Sequence, residues 1–268
     1  MHERKNDGIL GTLKIIQLTM VQYPEPQKRN IRVWLPVGYN QDNSQNRYPV
    51  LYMHDGQNLF EEKTSYAGEW EIDETITTLV AQGEKGTIVV GIDNSADRMN
   101  ELSPNWPRVW GARKMILQPS GEKYADFIVN TVKPYIDAHF HTLADCDHTG
   151  IGGSSMGGVI SLYMVLTYFE VFSYGLLFST AAQIYKWSVI QDFVKNQLEQ
   201  QTKFPRLFLY AGGLEHSITP YVHKIKSLLI HSGYPQEKIQ TLIDSRAKHN
   251  EQAWAKHFPA AYLWLTKK

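Results

Sequence analysis

Cysteine is almost absent from this sequence, which contains Cys146 as its single cysteine among 268 residues. One thiol excludes an internal disulfide framework and is typical of a reducing compartment. Long apolar runs are also lacking, because the most apolar stretch, residues 159–166, is short and is interrupted by Ser161 and Tyr163. A membrane span needs about 20 apolar residues, and residues 1–7 are too polar for a secretion signal. We therefore expect a cytoplasmic protein that does not enter the membrane.

Net charge is absent as well, because 27 Lys and Arg residues balance 27 Asp and Glu residues. Without an overall electrostatic field, the composition gives no reason to expect nucleic acid or acidic membranes as partners. The sequence also lacks repeats, low-complexity segments and linkers rich in Pro, Gly or Ser. Residues 1–268 are therefore expected to form a single domain. The oligomeric state is not determined by these features.

Short apolar runs alternate with segments of helical periodicity over most of the chain. Residues 50–53 and 87–92 are compact apolar runs, as expected for strands buried on both faces. Residues 13–23 and 29–35 show partial alternation and predict an antiparallel strand pair near the N-terminus. Further strands are predicted at 148–153, 174–178, 206–210 and 238–243, and helices at 72–79, 124–140, 155–168, 188–199, 219–231 and 251–266. This order predicts an α/β fold with a mainly parallel central sheet and helices on both faces.

Residues 153–157 (GSSMG) match the pattern G-x-S-x-G where a predicted strand meets a predicted helix. In a nucleophile elbow, this tight turn holds the serine in a strained conformation, and the flanking glycines relieve the crowding. The N-terminus of the following helix offers free N–H groups and a positive dipole end to an oxyanion. The motif predicts Ser155 as a catalytic nucleophile in an α/β-hydrolase fold. The alternative is a Gly-rich turn in which Ser155 only caps the helix.

A serine hydroxyl needs a general base to become a good nucleophile, and a carboxylate must orient that base. His249 lies between the last predicted strand and the last predicted helix, whereas three other late histidines lie inside predicted helices. Loops at this edge of a sheet carry catalytic groups, so His249 is the expected base. Glu215 follows the preceding strand after two glycines and is the expected acid. Asp244, at or near the end of the last strand, is its rival.

The loop after the first buried strand, residues 54–58 (HDGQN), is the expected source of a second oxyanion donor. Gly56 would let the backbone approach a substrate oxygen closely. The backbone N–H groups of Gln57 and Met156 are therefore the predicted oxyanion hole. His54 and Asp55 are expected to brace this loop through hydrogen bonds.

The wider set of residues resembles the putative-esterase family of α/β hydrolases, which includes esterase D, feruloyl and acetyl-xylan esterases, siderophore esterases and mycolyltransferases. The resemblance is carried by residues 48–60, 88–94, 152–158 and 212–215, with Glu69, Trp70, Asp73, Glu74, Arg98, Glu101, Pro104, Ser161, Leu162, Tyr163, His249 and Trp254. It implies a triad of Ser155, His249 and Glu215, acting on a small-molecule ester. Residues 179–187 depart from the family because they lack the Ser-Pro and paired aromatics often found there. The resemblance therefore says less about the substrate than about the triad.

Residues 94–121 have little regular pattern, and a loop of this length is often a lid or a substrate wall. Trp70, Trp106 and Trp187 are candidates to stack on a sugar or an aromatic acid, with core or lid packing as the equal alternative. Arg98 and Glu101 are expected to pin the loop by a salt link. The histidines at 139, 141 and 148 straddle a helix end and a strand start, which does not favour a metal site.

These expectations combine into a serine carboxylic-ester hydrolase that forms an acyl-enzyme, needs no cofactor or metal, and acts on short-chain or small aromatic acyl esters such as sugar-linked ones. An acyltransferase would use the same acyl-enzyme with an alcohol as second nucleophile. Hydrolysis of a siderophore or another triester is a further alternative. An alternative of another class is a catalytically inactive binding module. The retention of all three triad residue types argues against it.

Overall fold

One sheet of nine strands runs through the part of the chain that the computed structural model describes, residues 2–3, 8–43 and 45–266. The strands are β1 (His2–Glu3), β2 (Thr12–Met20), β3 (Gln27–Leu35), β4 (Val50–His54), β5 (Ile88–Ile92), β6 (Thr149–Ser154), β7 (Tyr174–Phe178), β8 (Arg206–Gly212) and β9 (Ile239–Asp244). Their order across the sheet is β1-β2-β3-β5-β4-β6-β7-β8-β9.

The sheet is antiparallel at its N-terminal side and parallel elsewhere. β2 pairs with β1 and β3, and β3 pairs with β5, in antiparallel register. All pairs from β5 through β4, β6, β7 and β8 to β9 are parallel. Every residue of β4 to β7 is buried, as the short apolar runs predicted, whereas β2 shows the mixed burial of a strand with one covered face. The predicted mainly parallel sheet with an antiparallel N-terminal pair is confirmed.

Eight α-helical segments accompany the sheet in the described residues. They are α1 (Ile72–Ala81), α2 (Arg98–Glu101), α3 (Gly121–Phe127), α4 (Lys133–His139), α5 (Met156–Thr167), α6 (Trp187–Gln200), α7 (Thr219–His231) and α8 (Glu251–Thr266). Apolar side chains of α3 to α7 form one core with one face of the sheet. Those of α1 and α8 form a second core with the other face. Helices therefore cover both faces, as predicted, and none of the described helices is long and apolar enough to cross a membrane.

The helix predicted at 124–140 differs from the observed one in two ways. It begins at Gly121, where a side chain would lie 2.7 Å from backbone atoms of Ser103. A π-helical turn, Ile128–Val132, joins α3 to α4. Such a turn holds one extra residue, which shifts the helical phase and is not visible in hydrophobic periodicity.

The parallel strands place their carboxyl ends at one edge of the sheet, which we call the carboxyl edge. His54, Ser154, Phe178, Gly212 and Asp244 end β4, β6, β7, β8 and β9 there. The loops that follow these residues carry every residue predicted for the triad and the oxyanion hole. Open parallel sheets usually bind ligands at this edge.

Candidate active site

Ser155 occupies the tight turn between β6 and α5. Its backbone has φ 58° and ψ −115°, a strained conformation for a residue with a side chain. Its N–H donates to the Phe178 carbonyl at 2.9 Å, and its own carbonyl accepts the N–H of Ala181 at 3.1 Å. The turn is thereby fixed to the end of β7, and Ser155 remains half-buried at the carboxyl edge. Met156 is the first residue of α5, so its N–H has no acceptor within the helix.

Glu215 and His249 are hydrogen bonded to each other. The distance between Glu215 Oε2 and His249 Nδ1 is 2.7 Å, and the Glu215 side chain is 1% exposed while that of His249 is 37% exposed. A carboxylate can only accept, so Nδ1 donates the proton and Nε2 remains as the basic nitrogen. Glu215 reaches this position because the chain turns sharply through Gly212 and Gly213 after β8. A side chain on Gly212 would lie 2.4 Å from the Ala247 carbonyl oxygen.

The same short segment after β7 contacts both Ser155 and Glu215. Phe178 and Ala181 bond to the backbone of Ser155. Between them, the Ser179 hydroxyl lies 2.7 Å from Glu215 Oε1, on the carboxylate that bonds His249. The structure therefore brings the predicted nucleophile, acid and base together through one continuous set of contacts.

Asp244, the rival acid, is engaged elsewhere. Its Oδ2 accepts hydrogen bonds from Lys256 Nζ and His257 Nε2, each at 2.8 Å, and both of these residues lie on α8. Its Oδ1 accepts the N–H of Arg246 at 3.1 Å. These donors together hold the pKa of Asp244 well below its usual value. The carboxylate thus faces helix α8 rather than the imidazole of His249.

The loop carrying Gln57 is braced by a charged network. Asp55 accepts two hydrogen bonds from Arg98, at 2.6 and 2.7 Å, and one from Asn94 at 2.6 Å. Burial acts to raise the pKa of Asp55, but Arg98 and Asn94 hold it below its usual value. Gln57 Oε1 also accepts the N–H of Asn94 at 3.1 Å. The predicted bracing role of Asp55 is observed, and it places Gln57 in the first turn after β4.

His54 joins this loop to the nucleophile turn. Its Nδ1 lies 2.9 Å from the Tyr124 hydroxyl, and burial lowers the pKa of His54 to about 3, so the ring is neutral at neutral pH. A side chain on Gly153 would meet the His54 ring at 3.0 Å. The imidazole of His54 is therefore a packing and hydrogen-bonding element, as expected, and its buried position gives no role as a base.

Arg98 and Glu101 both pin the loop at 94–121 by salt links, each to a partner that is distant in the sequence. Arg98 bonds Asp55, and Glu101 bonds Arg29 of β3 at 2.5 and 2.9 Å. Gly56 lies against the backbone of Gly91 in β5, where a side chain would come within 2.6 Å. Its expected part in letting the backbone approach a substrate oxygen stays a prediction.

The three tryptophans predicted to contact substrate lie in different environments. Trp70 is 2% exposed and packs on Phe178 and Trp254, so it is a core residue. Trp106 is 7% exposed and packs edge-on against Tyr185. Trp187 is half-buried at the start of α6, in edge contact with Tyr221. Burial removes the free ring faces that stacking on a substrate needs, so the expected role is corrected to packing for Trp70 and Trp106.

The loop at 94–121 is fastened to the segment after β7 by side-chain and backbone hydrogen bonds, and its tip, residues 109–117, is apolar. The hydroxyl groups of Ser103 and Tyr185 are 2.7 Å apart, and the Val109 N–H donates to the Ile184 carbonyl at 3.0 Å. The loop thus forms a wall against the segment that follows β7. Its tip exposes four apolar side chains: Val109 at 40%, Trp110 at 75%, Met115 at 59% and Leu117 at 71%.

Sequence reasoning missed Ser179. This residue is fully buried, has φ 44°, and bonds Glu215, yet a serine after a strand gives no distinctive pattern. Its partner Trp254, whose indole N–H donates to Ser179 Oγ at 2.9 Å, was noted only as part of a resemblance. Ser179 bonds the Glu215 oxygen that does not bond His249, and Trp254 in turn bonds Ser179.

A cavity of about 970 Å³ opens at the other edge of the sheet, where the parallel strands begin. Its lining residues include Cys146 and four residues at or next to the starts of strands: His148, Tyr174, Arg206 and Lys238. None of the predicted site residues lines it. The cavity is therefore separate from the candidate active site.

Comparisons with known proteins agree with this architecture. A family model described as "Putative esterase" matches residues 25–265. The uncharacterized protein YbbA of Bacillus subtilis is 24% identical over 246 residues, which cover 88% of this chain and 92% of that protein. The solved structure of a ferulic acid esterase aligns with a TM-score of 0.68 and 19% identity, covering 95% of this chain and 98% of that one. The enterobactin esterase of Shigella flexneri aligns with a TM-score of 0.70 and 17% identity, covering 97% of this chain and 60% of that one.

Proposed function

Because the chain belongs to the putative-esterase family and is therefore a carboxylic ester hydrolase, we infer that Ser155, His249 and Glu215 are its catalytic triad. The observation that carries this inference is the 2.7 Å hydrogen bond between His249 and the buried carboxylate of Glu215. That carboxylate is held by the segment that also bonds the backbone of Ser155. His249 therefore has the orienting carboxylate that a general base requires, and this carboxylate is connected to the turn that carries Ser155.

The reaction proceeds through an acyl-enzyme. Ser155 Oγ bonds to the ester carbonyl carbon while its proton moves to His249 Nε2, and collapse of the tetrahedral intermediate breaks the bond to the alcohol oxygen. The alcohol leaves with the proton from Nε2. Water then repeats the sequence, giving its proton to Nε2 and its oxygen to the acyl carbon, and Ser155 regains a proton as the acid departs. Glu215 stays ionised and stabilises the imidazolium in both halves.

The oxyanion of each tetrahedral intermediate is stabilised by the N–H groups of Met156 and Gln57. Met156 is at the N-terminus of α5, where the N–H groups are unpaired within the helix and the dipole is positive. Gln57 is in the short turn after β4 that Asp55, Asn94 and Arg98 brace. Such rigid donors are worth on the order of 10²–10³ in kcat each.

The substrate class is short-chain or small aromatic acyl esters. Support comes from the loop at 94–121, which is fastened to the segment after β7, the same segment that bonds the backbone of Ser155, and which would therefore limit the length of an acyl chain. Two solved structures of the same fold are named for ferulic acid and for enterobactin, which makes a feruloyl ester and a siderophore ester the first substrates to test.

A fluorophosphonate probe and a substrate panel test this function. The probe is expected to label wild-type protein at Ser155, identified by peptide mass spectrometry, and to leave the folded Ser155→Ala variant unlabelled. The panel comprises short and long p-nitrophenyl esters, acetylated sugars, feruloyl esters and a catechol siderophore under identical conditions. Absence of labelling and of turnover with every ester would reject the proposal in favour of a binding module, and preferential transfer to an added alcohol would identify an acyltransferase.

A further inference from the structure

A chain of three hydrogen bonds leads from the indole of Trp254 to the imidazole of His249. Trp254 Nε1 donates to Ser179 Oγ at 2.9 Å. The Ser179 hydroxyl contacts Glu215 Oε1 at 2.7 Å, and Glu215 Oε2 accepts the proton of His249 Nδ1 at 2.7 Å. Ser179 is fully buried and Trp254 is 4% exposed, so water does not compete for these groups.

The direction of every bond in this chain is determined by the chemistry of the donors. An indole nitrogen can only donate, so Ser179 Oγ must accept from Trp254. The single hydroxyl proton of Ser179 is then available for Glu215, which accepts it as a carboxylate. Glu215 Oε1 also accepts the N–H of Gly212 at 2.6 Å. Two donors therefore occupy Oε1 and leave Oε2 to His249.

Trp254 begins this chain of hydrogen bonds and also contacts the residue at its other end, His249. Its ring stands edge-on to the His249 imidazole, with centroids 5.1 Å apart and planes at 88°. Ser179 is itself held in place by its N–H, which donates to the Tyr210 carbonyl at 2.7 Å. Its φ of 44° is a strained value for serine, and such strain persists only where surrounding contacts enforce it.

We propose that Ser179 and Trp254 are positioning residues that lock the rotation of the Glu215 carboxylate and so set the orientation of the His249 imidazole. The inference rests on the proposed triad. Without the Ser179 hydroxyl, Gly212 alone holds Oε1, and the carboxylate can turn about its terminal bond. The bond to Nδ1 then weakens, and the imidazole is less often aligned with Ser155. Substrate binding does not depend on this alignment.

A double-mutant cycle tests by kinetics whether Trp254 and Ser179 act on Glu215 through one connected set of hydrogen bonds, which we call the relay. Ser179→Ala is expected to lower kcat by about 10–100-fold with KM within about twofold of wild type. Trp254→Phe keeps an aromatic ring beside His249 but removes the donor, and is expected to lower kcat by about 3–10-fold. The double variant is expected to match Ser179→Ala within about twofold, because both changes act through one bond. Ser161→Ala is the matched control, since this buried hydroxyl bonds only the Gly157 carbonyl among its described contacts.

A spectroscopic measurement separates positioning from general damage. The proton on His249 Nδ1, assigned by its absence from His249→Ala, is expected at low field in wild-type protein. In Ser179→Ala it is expected to move upfield or to broaden through exchange, while circular dichroism and the unfolding temperature remain close to those of Ser161→Ala. An unchanged Nδ1 signal, or fully additive effects in the cycle, would overturn the relay.

The two proposals fail in different ways. If wild-type hydrolysis does not require Ser155, the triad is rejected, and the Nδ1 signal still decides whether Ser179 orders the Glu215–His249 pair. If hydrolysis requires Ser155 but Ser179→Ala keeps kcat within twofold, the relay is rejected and the triad stands.

Discussion

The carboxylate of Glu215 and the imidazole of His249 meet at 2.7 Å between Oε2 and Nδ1, although 33 residues separate them in the chain. Asp244, only five residues before His249, is directed instead at Lys256 and His257. The strands explain this difference, because Glu215 leaves β8 through a glycine turn while Asp244 still belongs to β9.

Glu215→Gln is therefore expected to lower kcat by about two or more orders of magnitude, because a neutral amide stabilises the imidazolium less. Asp244→Asn is the matched comparison and is expected to stay within about threefold of wild type. Turnover of p-nitrophenyl acetate by both variants, with folding checked by circular dichroism, measures the difference. The reverse ranking would make Asp244 the acid.

Ser155→Ala is expected to reduce kcat by about 10³-fold or more without unfolding the protein. The reason is that no other hydroxyl occupies the strained turn above the N-terminus of α5 in the described residues. The measurement is p-nitrophenyl acetate hydrolysis, with Ser161→Ala as control. Near-normal turnover by the folded Ser155→Ala variant would remove Ser155 from the nucleophile role.

p-Nitrophenyl butyrate is expected to be hydrolysed at least about tenfold faster than the palmitate ester. The loop at 94–121 is fastened at Arg98 and Ser103, and we expect this fixed loop to limit the length of the acyl chain that the site accepts. Its exposed apolar tip is the one feature on this loop that would favour long lipids, and Trp110, 75% exposed, dominates it. Faster palmitate hydrolysis that falls in Trp110→Ser would show instead that the tip recruits lipid.

Arg98→Ala is expected to lower kcat/KM by about 10-fold or more. Loss of the guanidinium leaves the buried Asp55 carboxylate without its charged partner, and the adjacent turn that carries Gln57 can then shift. Arg113→Ala, on the exposed part of the same loop, is the control and is expected to be neutral. Equal activity of the two variants would show that the Asp55 network does not support the oxyanion hole.

Asp73→Asn is expected to stabilise the protein at pH 8 but not at pH 4.5. Asp73 is fully buried and accepts the Leu10 N–H at 2.8 Å; burial, with a contribution from Glu74, raises its pKa to about 8. The folded state therefore holds a proton that the unfolded chain releases near pH 4, so this group costs stability as pH rises from about 4 to 8. The amide side chain of the variant keeps an oxygen that can accept the Leu10 N–H, and it does not titrate between about pH 4 and 8.

Unfolding temperatures at the two pH values measure this effect. At pH 8 the variant is expected to melt about 3 °C or more above wild type, and near pH 4.5 the two are expected to converge. Asp192→Asn, on the exposed face of α6, should show no such dependence. A variant that is less stable than wild type at pH 8 would mean that Asp73 is ionised in the folded protein.

Periodicity was sufficient for most of the fold. The helices at 219–231 and 251–266 have the predicted bounds, and the apolar runs became the central strands. Periodicity could not show the π-helical turn at 128–132, which adds a residue without changing composition. Single-domain organisation and cytoplasmic location stay predictions.

The positions of the candidate triad residues could be predicted because the order of strands and loops along the chain fixes them. The side-chain partners that folding brings together from distant parts of the sequence could not. Ser155, Glu215 and His249 each follow a strand that ends at the carboxyl edge. Arg98 and Glu101 were expected to pin the loop by a salt link, but their partners, Asp55 and Arg29, are distant in the sequence and could not be identified from it. Trp70 was expected either to stack on a substrate or to pack in the core, and only the folded chain shows that Trp254 of α8 packs against it.

The two edges of the sheet also determine how this enzyme responds to chemical modifiers. Cys146 lies at the edge where β6 begins and Ser155 at the edge where it ends, with a six-residue strand of about 20 Å between them. The thiol donates to the Phe169 carbonyl at 3.4 Å, and burial raises its pKa. Organophosphorus reagents should therefore stop ester hydrolysis, whereas N-ethylmaleimide should leave it intact. Maleimide-sensitive activity in a preparation would then report a contaminating thiol hydrolase.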